Sequence, residues 1–226
     1  MREHRAVIFD LDGTLTPVRS VWRHLHEALG MWEGEARRHQ EAFEQGAIDY
    51  EEFCARDAAH WKGMDEADLR SITDRIPYRP GVRECVAALQ HGGLYVGLVS
   101  TGLTLLLERV HAELGLAYAI ANRLVSKRGR LTGEVKVNVV HDRKGEAVDL
   151  FCGQFGIDHR DVITVGDSDG DISMFERSGF SIAFNPASPA TARAATVAHT
   201  GESLLELLPL LPLGPPAPET GARRIE

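Results

Sequence analysis

The sequence lacks long apolar runs, and it lacks the leader pattern of a secreted protein. A membrane-spanning helix needs about 20 apolar residues, and no such run occurs in the 226 residues. The N-terminal segment MREHRAVIFD is charged and leads directly into a short apolar stretch, which is not the pattern of a signal peptide. The sequence therefore predicts a cytoplasmic protein without a membrane partner.

Cysteine and clustered basic residues are also scarce. The three cysteines, Cys54, Cys85 and Cys152, are widely spaced, and no pair has metal-ligand spacing. They are expected to be reduced thiols, as is usual in the cytosol. The formal net charge is −8 and no basic run is present, which argues against nucleic acid as a partner. A small anionic ligand remains compatible, because it needs only a local positive site.

Short apolar segments alternate with amphipathic ones along most of the chain. Helices are predicted over 81–90, 103–114 and 144–155, where apolar residues recur at intervals of three and four. Alternating buried strands and helices indicate an α/β fold with a parallel sheet covered on both faces, a Rossmann-like core. The predicted strands are RAVIF (5–9), LYVGLV (94–99), VITV (162–165) and FSIAF (180–184).

The segment 17–76 differs from the rest, because it is helical in pattern and has little strand propensity. We predict a small helical cap domain here, inserted after the first strand into a core domain of residues 1–16 and 77–208. The proline-rich segment 209–226 is expected to be a flexible tail. The predicted cap helices cover 20–29, 34–45, 49–61 and 65–75, and a hairpin is predicted over 122–135. Aromatic residues at helical spacing in the cap are expected to be mainly core; they are Trp22, Trp32, Tyr50, Phe53 and Trp61.

Polar turns follow three of the predicted strands. They are DLDGT (10–14), STG (100–102) and GDSDGD (166–171). Ligands of open parallel sheets bind beyond the carboxyl ends of the strands, so these turns are expected to converge in one crevice.

The first turn places Asp10 and Asp12 two residues apart at the end of a buried strand. Two carboxylates in one crevice need a compensating cation, and Mg²⁺ binds one or two carboxylates together with phosphate oxygens. Asp167 could supply a further ligand, and Asp171 could orient it. A solvated acidic turn is the alternative. A calcium loop of the EF-hand type fits poorly, because Ser178 stands where the twelfth-position glutamate would be.

Two further features are suited to binding phosphate. The turn from Ser100 to Gly102 is predicted to open a helix, where its hydroxyl and N–H groups could cradle an anion. Lys144 at the start of another helix offers a positive charge. Each alone is commonly a helix cap or a surface charge. Together with the acidic turns they supply the nucleophile, metal site, cradle and cation that phosphoryl transfer needs.

These motifs, in this order, resemble the haloacid dehalogenase (HAD) superfamily, and most closely its phosphoserine phosphatase-like branch. The resemblance covers about residues 5–205 and depends on DLDGT, VSTG (99–102), RKGEA around Lys144, and VGDSDGDISMF (165–175). It implies a Mg²⁺-dependent phosphatase that hydrolyses the phosphate monoester of a small metabolite through an aspartyl-phosphate.

The resemblance also implies a role for each motif residue. Asp10 would be the nucleophile, and Asp12 would act as general acid and then as general base. Mg²⁺ would be held by Asp10, by the backbone carbonyl of Asp12 and by Asp167. Asp171 would fix the water ligands of the metal.

The phosphate itself would be bound by the remaining motifs. Ser100 would hydrogen-bond its oxygens, with the N–H groups of Thr101 or Gly102 assisting. Lys144 would neutralise its charge and hold the nucleophile in place.

The chain departs from this branch at the positions that contact the serine part of the substrate. A glutamate that binds the amino group is replaced by Arg19, and the position of a carboxylate-binding arginine falls on Asp57, beside Arg56. These charges would repel phosphoserine. We therefore predict that phosphoserine is not the preferred substrate, and that an Arg19–Asp57 pair could instead close the cap on itself.

Other protein classes fit the sequence less well. A phosphoacceptor signalling module also uses an acidic pair and a lysine, but it is shorter and has no acid two residues after its aspartate. A dinucleotide-binding domain would have GxGxxG after the first strand, and this chain has none. A phosphotransferase with the same aspartyl-phosphate chemistry remains open.

Overall fold

The computed structural model describes residues 4–213, and they form one seven-stranded sheet with helices on its faces. The strand order is β4-β3-β2-β1-β5-β6-β7, and every neighbouring pair is parallel except β3 and β4. The strands are β1 Ala6–Phe9, β2 Tyr95–Leu103, β3 Tyr118–Lys127, β4 Arg130–Lys136, β5 Val162–Gly166, β6 Phe180–Phe184 and β7 Val197–His199. The predicted α/β class is confirmed.

The helices follow the predicted amphipathic segments closely. Ser20 and Asp49 are the N-cap residues of α1 and α3. Their side chains accept hydrogen bonds from backbone N–H groups of the first turn. The helices are α1 Val21–Ala28, α2 Arg37–Glu44, α3 Tyr50–His60, α4 Glu66–Thr73, α5 Val82–His91, α6 Thr104–Leu114, α7 Gly145–Phe155, α8 Ile172–Phe175 and α9 Pro189–Ala194. Short 3-10 segments are His141–Arg143, His159–Asp161, Asp169–Asp171 and Leu204–Leu210, and a kinked turn spans Trp32–Ala36.

The central strand β1 is buried on both faces. Val7 and Phe9 belong to one hydrophobic cluster, and Ala6 and Ile8 belong to the other. Successive side chains of a strand point to opposite faces, so helices must cover both sides of this strand. This explains why its sequence is uniformly apolar.

The topology brings the three polar turns together. Strand β1 pairs with β2 on one side and with β5 on the other. Asp10 follows β1, Ser100 lies near the end of β2, and Asp167 follows β5. Because the three strands are parallel neighbours, these residues lie at the same edge of the sheet.

Some local expectations need correction. The STG turn does not open a helix, because β2 continues to Leu103 and α6 begins at Thr104. The hairpin turn lies at Arg128 and Gly129, with φ of 54° and 79°, as predicted. Its first strand is longer than expected, since β3 begins at Tyr118 and pairs in parallel with β2. Strand β7 was not predicted, because three residues carry too little pattern.

Helices α1–α4 all lie within segment 17–76, and the β3–β4 hairpin packs against this segment. The N–H of Gly63 donates to the carbonyl of Leu131, and the N–H of Leu131 donates to the carbonyl of Met64.

Near the C-terminal end of the described residues, the last 3-10 segment includes Pro209, and Leu211 is buried. The chain is therefore packed beyond the predicted start of the tail. The rest of that tail, 214–226, lies outside the described residues. No helix in the described range is long and apolar enough to span a membrane.

Candidate active site

A buried lysine joins the first and last acidic turns. Lys144 Nζ donates to Asp10 Oδ1 at 2.6 Å and to Asp171 Oδ1 at 2.5 Å. All three residues are almost inaccessible to solvent, with relative exposures of 4% or less. Burial opposes the charge of Lys144, but Asp10 and Asp171 outweigh this effect and raise its pKa. Lys144 therefore remains a fixed cation between two carboxylates.

Asp171 organises the loop that follows β5. Its Oδ2 atom accepts hydrogen bonds from the backbone N–H groups of Asp167 and Ser168, each at 2.9 Å, and from the Ser168 hydroxyl at 3.1 Å. Its other oxygen is held by Lys144. Both oxygens of Asp171 are thus already bonded. The bonds to Asp167 come from the Thr14 hydroxyl at 3.4 Å and from the half-exposed Arg19 at 2.9 Å.

The carboxylates outnumber the cations in this crevice. Oxygen atoms of Asp10, Asp167 and Asp171 all lie within 4.8 Å of one another, and all three residues are buried. Burial raises the pKa of Asp10 to about 7, against the effect of Lys144, and raises that of Asp167 to about 8 with help from Asp10. With Asp12 included, four carboxylates lie near Lys144, Arg19 and Arg79, so negative charge is in excess when all are ionised.

A divalent cation would balance that charge, and carboxylate oxygen is the donor that hard cations prefer. The donor set in the crevice therefore fits a metal ion of this kind. The fit rests on the arrangement of the acidic side chains, because oxygens of Asp10, Asp167 and Asp171 lie within 4.8 Å of one another in a buried site.

Asp12 lies two residues after the nucleophile candidate and contacts the start of α1. Its Oδ2 atom accepts from the N–H of Val21 at 3.3 Å, and its Oδ1 atom is buried without a hydrogen-bond partner among the described residues. Burial, followed by the charge of Asp10, raises the pKa of Asp12 to about 7. A carboxyl group with this pKa can both donate and accept a proton near neutral pH.

The STG segment contributes to the crevice in an extended conformation. Ser100 is buried, and its Oγ accepts from the N–H of Gly102 at 2.8 Å. The carbonyl of Thr101 accepts hydrogen bonds from Trp22 Nε1 at 3.1 Å and from the Tyr50 hydroxyl at 2.5 Å. This backbone carbonyl therefore ties two helices of segment 17–76 to the sheet.

A β-carbon at Gly102 would lie only 2.4 Å from Asp12 Oδ2, so this position has no room for a side chain. Gly13 is equally constrained, because its φ is 90° and a β-carbon there would lie 2.3 Å from Asp167 Oδ2. The two glycines let the backbone approach the carboxylates closely.

Of the three proposed specificity residues, only Arg19 reaches the crevice. Its Nη1 atom lies 2.9 Å from Asp167 Oδ2, and its Nη2 donates to the carbonyl of Asn185 at 3.2 Å. The side chain is still half exposed, so it can exchange partners when a ligand binds.

The expectation for Asp57 and Arg56 was wrong. Asp57 is 1% exposed and lies between His26 and His39, at 3.2 Å and 3.5 Å, rather than opposite Arg19. Arg56 pairs with Glu52 on the exposed face of α3. The alignment of this position with the branch could not show that Asp57 faces the interior of the helical segment.

The crevice opens into a cavity of about 140 Å³. The sequence predicted only some of the residues that line it. Trp22, Tyr50 and Phe53 were expected to be mainly core, and they are buried but also line this cavity. The sequence-based candidates did not include several of the lining residues. These are Ser20, Gln40, Phe43, His141 and Ser168. The spacing of Gln40 and Phe43 on α2 and of Tyr50 and Phe53 on α3, one helical turn each, was the available signal.

Comparison with known proteins agrees with this site. The family model for haloacid dehalogenase-like hydrolases matches residues 7–176. A phosphoserine phosphatase of Methanocaldococcus jannaschii is 32% identical over 184 residues, which cover 81% of this chain and 86% of that protein. A phosphoserine phosphatase of Archaeoglobus fulgidus is 34% identical over 185 residues, but the chain spans only 53% of its length.

Solved structures give the same result. A phospho-aspartyl intermediate analogue of phosphoserine phosphatase superposes with a TM-score of 0.82 and 28% identity, covering 93% of this chain and all of the other. A substrate-bound phosphoserine phosphatase complex gives a TM-score of 0.82 at 27% identity, with the same coverage.

Fold and site together define a hydrolase with an α/β fold and a site suited to phosphoryl transfer. The chain belongs to the haloacid dehalogenase-like hydrolase family. The resemblance to its phosphoserine phosphatase-like branch is confirmed, and so is the predicted enzyme class, a phosphoric monoester hydrolase.

Proposed function

We propose that this enzyme releases phosphate from a small phosphorylated metabolite in the cytoplasm, with Asp10 as the nucleophile and Mg²⁺ as the metal. The observation that carries the proposal is the contact of Lys144 Nζ with Asp10 at 2.6 Å. It fixes one carboxylate oxygen and leaves the other free to attack phosphorus. No observation favours transfer of the phosphate to a second hydroxyl over hydrolysis.

In the first step, Asp10 attacks the phosphorus atom and the ester bond breaks. Asp12 donates its proton to the oxygen of the leaving alcohol. Its raised pKa of about 7 supports this role, because the acid form is available near neutral pH. Lys144 offsets the negative charge of the phosphoryl group, and Ser100, with the N–H groups of Thr101 or Gly102, hydrogen-bonds its oxygens.

In the second step, water hydrolyses the aspartyl-phosphate. Asp12, now ionised, removes a proton from that water, and the new bond to phosphorus restores the carboxylate of Asp10. Asp12 has a buried oxygen without a partner in the described structure, which supports its use by the leaving alcohol and then by water. The cycle returns every residue to its starting state.

Asp10, the backbone carbonyl of Asp12 and Asp167 would hold Mg²⁺, and Asp171 would orient its water ligands. When bound, the ion neutralises negative charge on the phosphoryl group and the carboxylates. The charge imbalance described above supports a divalent ion.

We also propose that residues 17–76 act as a cap over a core made of residues 1–16 and 77–208. The hydrogen bonds of Trp22 and Tyr50 to the Thr101 carbonyl support this division, because they join the helical segment to the phosphate-binding strand. A cap in this position would exclude water during the first step.

The test is phosphate release from a panel of monoesters, with Mg²⁺ and with EDTA. We expect release that requires Mg²⁺ and is lost in Asp10→Asn. Circular dichroism and thermal unfolding should show that this variant stays folded. Release that persists in folded Asp10→Asn protein would contradict the covalent mechanism, and appearance of phosphate only on an added alcohol would favour a phosphotransferase.

A further inference from the structure

Aromatic rings line part of the cavity into which Asp10 and Asp12 also open. Phe43 stacks on Phe53 with ring centroids 5.3 Å apart, and the His141 ring meets Phe43 edge-on at 5.4 Å. Trp22 packs against Phe53 at 6.0 Å. These rings come from three cap helices and one core segment, so their convergence depends on how these elements pack together.

Several polar atoms of this aromatic wall are already bonded to protein groups. Trp22 Nε1 and the Tyr50 hydroxyl both donate to the Thr101 carbonyl, and the hydroxyl also accepts from Asn122 Nδ2 at 3.2 Å. Gln40 Nε2 donates to Glu44 at 2.8 Å. The wall therefore presents mainly apolar ring surface to a bound molecule, and burial of apolar surface is the main favourable contact available there.

The charged residues that line the cavity do not favour a cationic leaving group. Asp10 and Asp12 are committed to the phosphoryl group and the proton transfers, and Arg19 is the remaining charged lining residue of those described. His141 is expected to be neutral, since burial, and then Lys144, lower its pKa. A substrate ammonium group would meet a guanidinium and no free carboxylate.

We infer that the enzyme prefers phosphate monoesters whose leaving alcohol is neutral and apolar, with a single aromatic ring or a group of similar size, over esters that carry an ammonium group. This inference rests on the proposed function. The cavity of about 140 Å³ is smaller than the roughly 300–1,000 Å³ typical of drug-sized ligands, which limits the leaving group to a small one.

Three esters of primary alcohols test this preference, because their bonds to phosphorus are of the same kind. They are benzyl phosphate, O-phospho-L-serine and phosphocholine. We expect kcat/KM for benzyl phosphate to exceed that for O-phospho-L-serine about tenfold or more. A preference for O-phospho-L-serine would overturn the inference. A preference for phosphocholine would also overturn it and would show that the rings bind a cation through their faces.

Phe43 is the wall residue most suitable for mutation, because it is only partly buried and lines the cavity. Phe43→Ala should lower kcat/KM for benzyl phosphate about tenfold more than it lowers that for O-phospho-L-serine, whereas Phe43→Leu should retain most activity. Phe155→Ala removes another partly buried ring, which packs on Phe151 and Tyr95 away from the cavity, and should leave the ratio of the two esters unchanged. An equal ratio in Phe43→Ala and wild type would contradict the inference.

Binding of stable phosphonates separates this inference from the proposed activity. Calorimetry should show tighter binding of benzylphosphonate than of methylphosphonate, and Phe43→Ala should remove the difference. If no ester is hydrolysed but this difference is found, the proposed function fails and the apolar pocket stands. Equal binding of the two phosphonates would overturn the pocket, whatever the activity.

Discussion

The Arg19 guanidinium lies 2.9 Å from Asp167 Oδ2, so a half-exposed cation and a candidate metal ligand are paired across 148 positions of sequence. The Asp167 side chain is 2% exposed, whereas that of Arg19 is 52% exposed. Arg19 therefore offsets the charge of a buried carboxylate from a position that solvent reaches. A metal ion at Asp167 must share this carboxylate with Arg19 or displace it.

Removal of the Arg19 charge should strengthen Mg²⁺ binding. In Arg19→Gln the ion no longer competes with the guanidinium for Asp167, and we expect the dissociation constant to fall by roughly 1.5- to 5-fold, because half-exposed ion pairs are weak. Calorimetric titration with Mg²⁺ measures this directly. Arg37→Gln is the matched control, since Arg37 is 55% exposed and pairs with Glu41 away from the site. Weaker binding in Arg19→Gln would mean that Arg19 supports the metal site.

Gly102→Ala should damage catalysis without unfolding the protein. The new β-carbon would lie 2.4 Å from Asp12 Oδ2 and must displace that carboxylate. A shift of about 1 Å in a catalytic group can cost about 100-fold, and we expect a loss of kcat of this order. Gly153→Ala is the control, because its β-carbon meets nothing within 4 Å on the exposed face of α7. That variant should keep full activity and gain up to about 1 kcal/mol of stability.

Unchanged kcat in Gly102→Ala would contradict the account, because a displaced Asp12 could then not be the catalytic acid. The thermal midpoint of each variant is the check on folding.

The histidine cluster around Asp57 should make stability depend on pH. His60 contacts the rings of His26 and His39, and burial, followed by those two neighbours, lowers its pKa. As the pH falls, the unfolded chain therefore binds a proton at His60 at a higher pH than the folded protein does. The stability contributed by neutral His60 is present above its unfolded pKa of 6.5 and is lost as the pH falls through the lower folded value.

His60→Gln should accordingly flatten the decrease in the free energy of unfolding between pH 7 and pH 5. Urea unfolding at a series of pH values measures the slope. His91→Gln, at an exposed position on α5, is the control and should follow the wild type. A slope in His60→Gln as steep as that of the wild type would assign the effect to other groups.

Sequence patterns predicted the fold and the motif residues because each signal is local. A buried strand that ends at a polar turn is visible within about ten residues, and parallel pairing then brings Asp10, Ser100 and Asp167 to one edge. Lys144 and Asp171 were found in the same way, since each stands at the start of a helix or loop. The parallel pairing of β1 with β2 and with β5 then sets how close these residues lie to one another.

The specificity residues could not be predicted, because they depend on how separate helices pack. The role of Asp57 was inferred from its position relative to the phosphoserine phosphatase-like branch, and a position in sequence does not show which face of a helix is buried. Its contacts come from His26 on α1 and His39 on α2. The cavity wall likewise combines Trp22, Phe43 and Phe53 from three helices, and their common orientation follows only from tertiary packing.

The most direct test of the central claim is to trap the phosphoryl group on the enzyme. Protein mixed with ³²P-labelled ester and Mg²⁺ is quenched in acid during turnover and digested, and the labelled peptide is identified. The account predicts label in the peptide that contains Asp10, its removal by hydroxylamine as expected of an acyl phosphate, and no label in Asp10→Asn. Continued turnover without label, or label on another peptide, would contradict it.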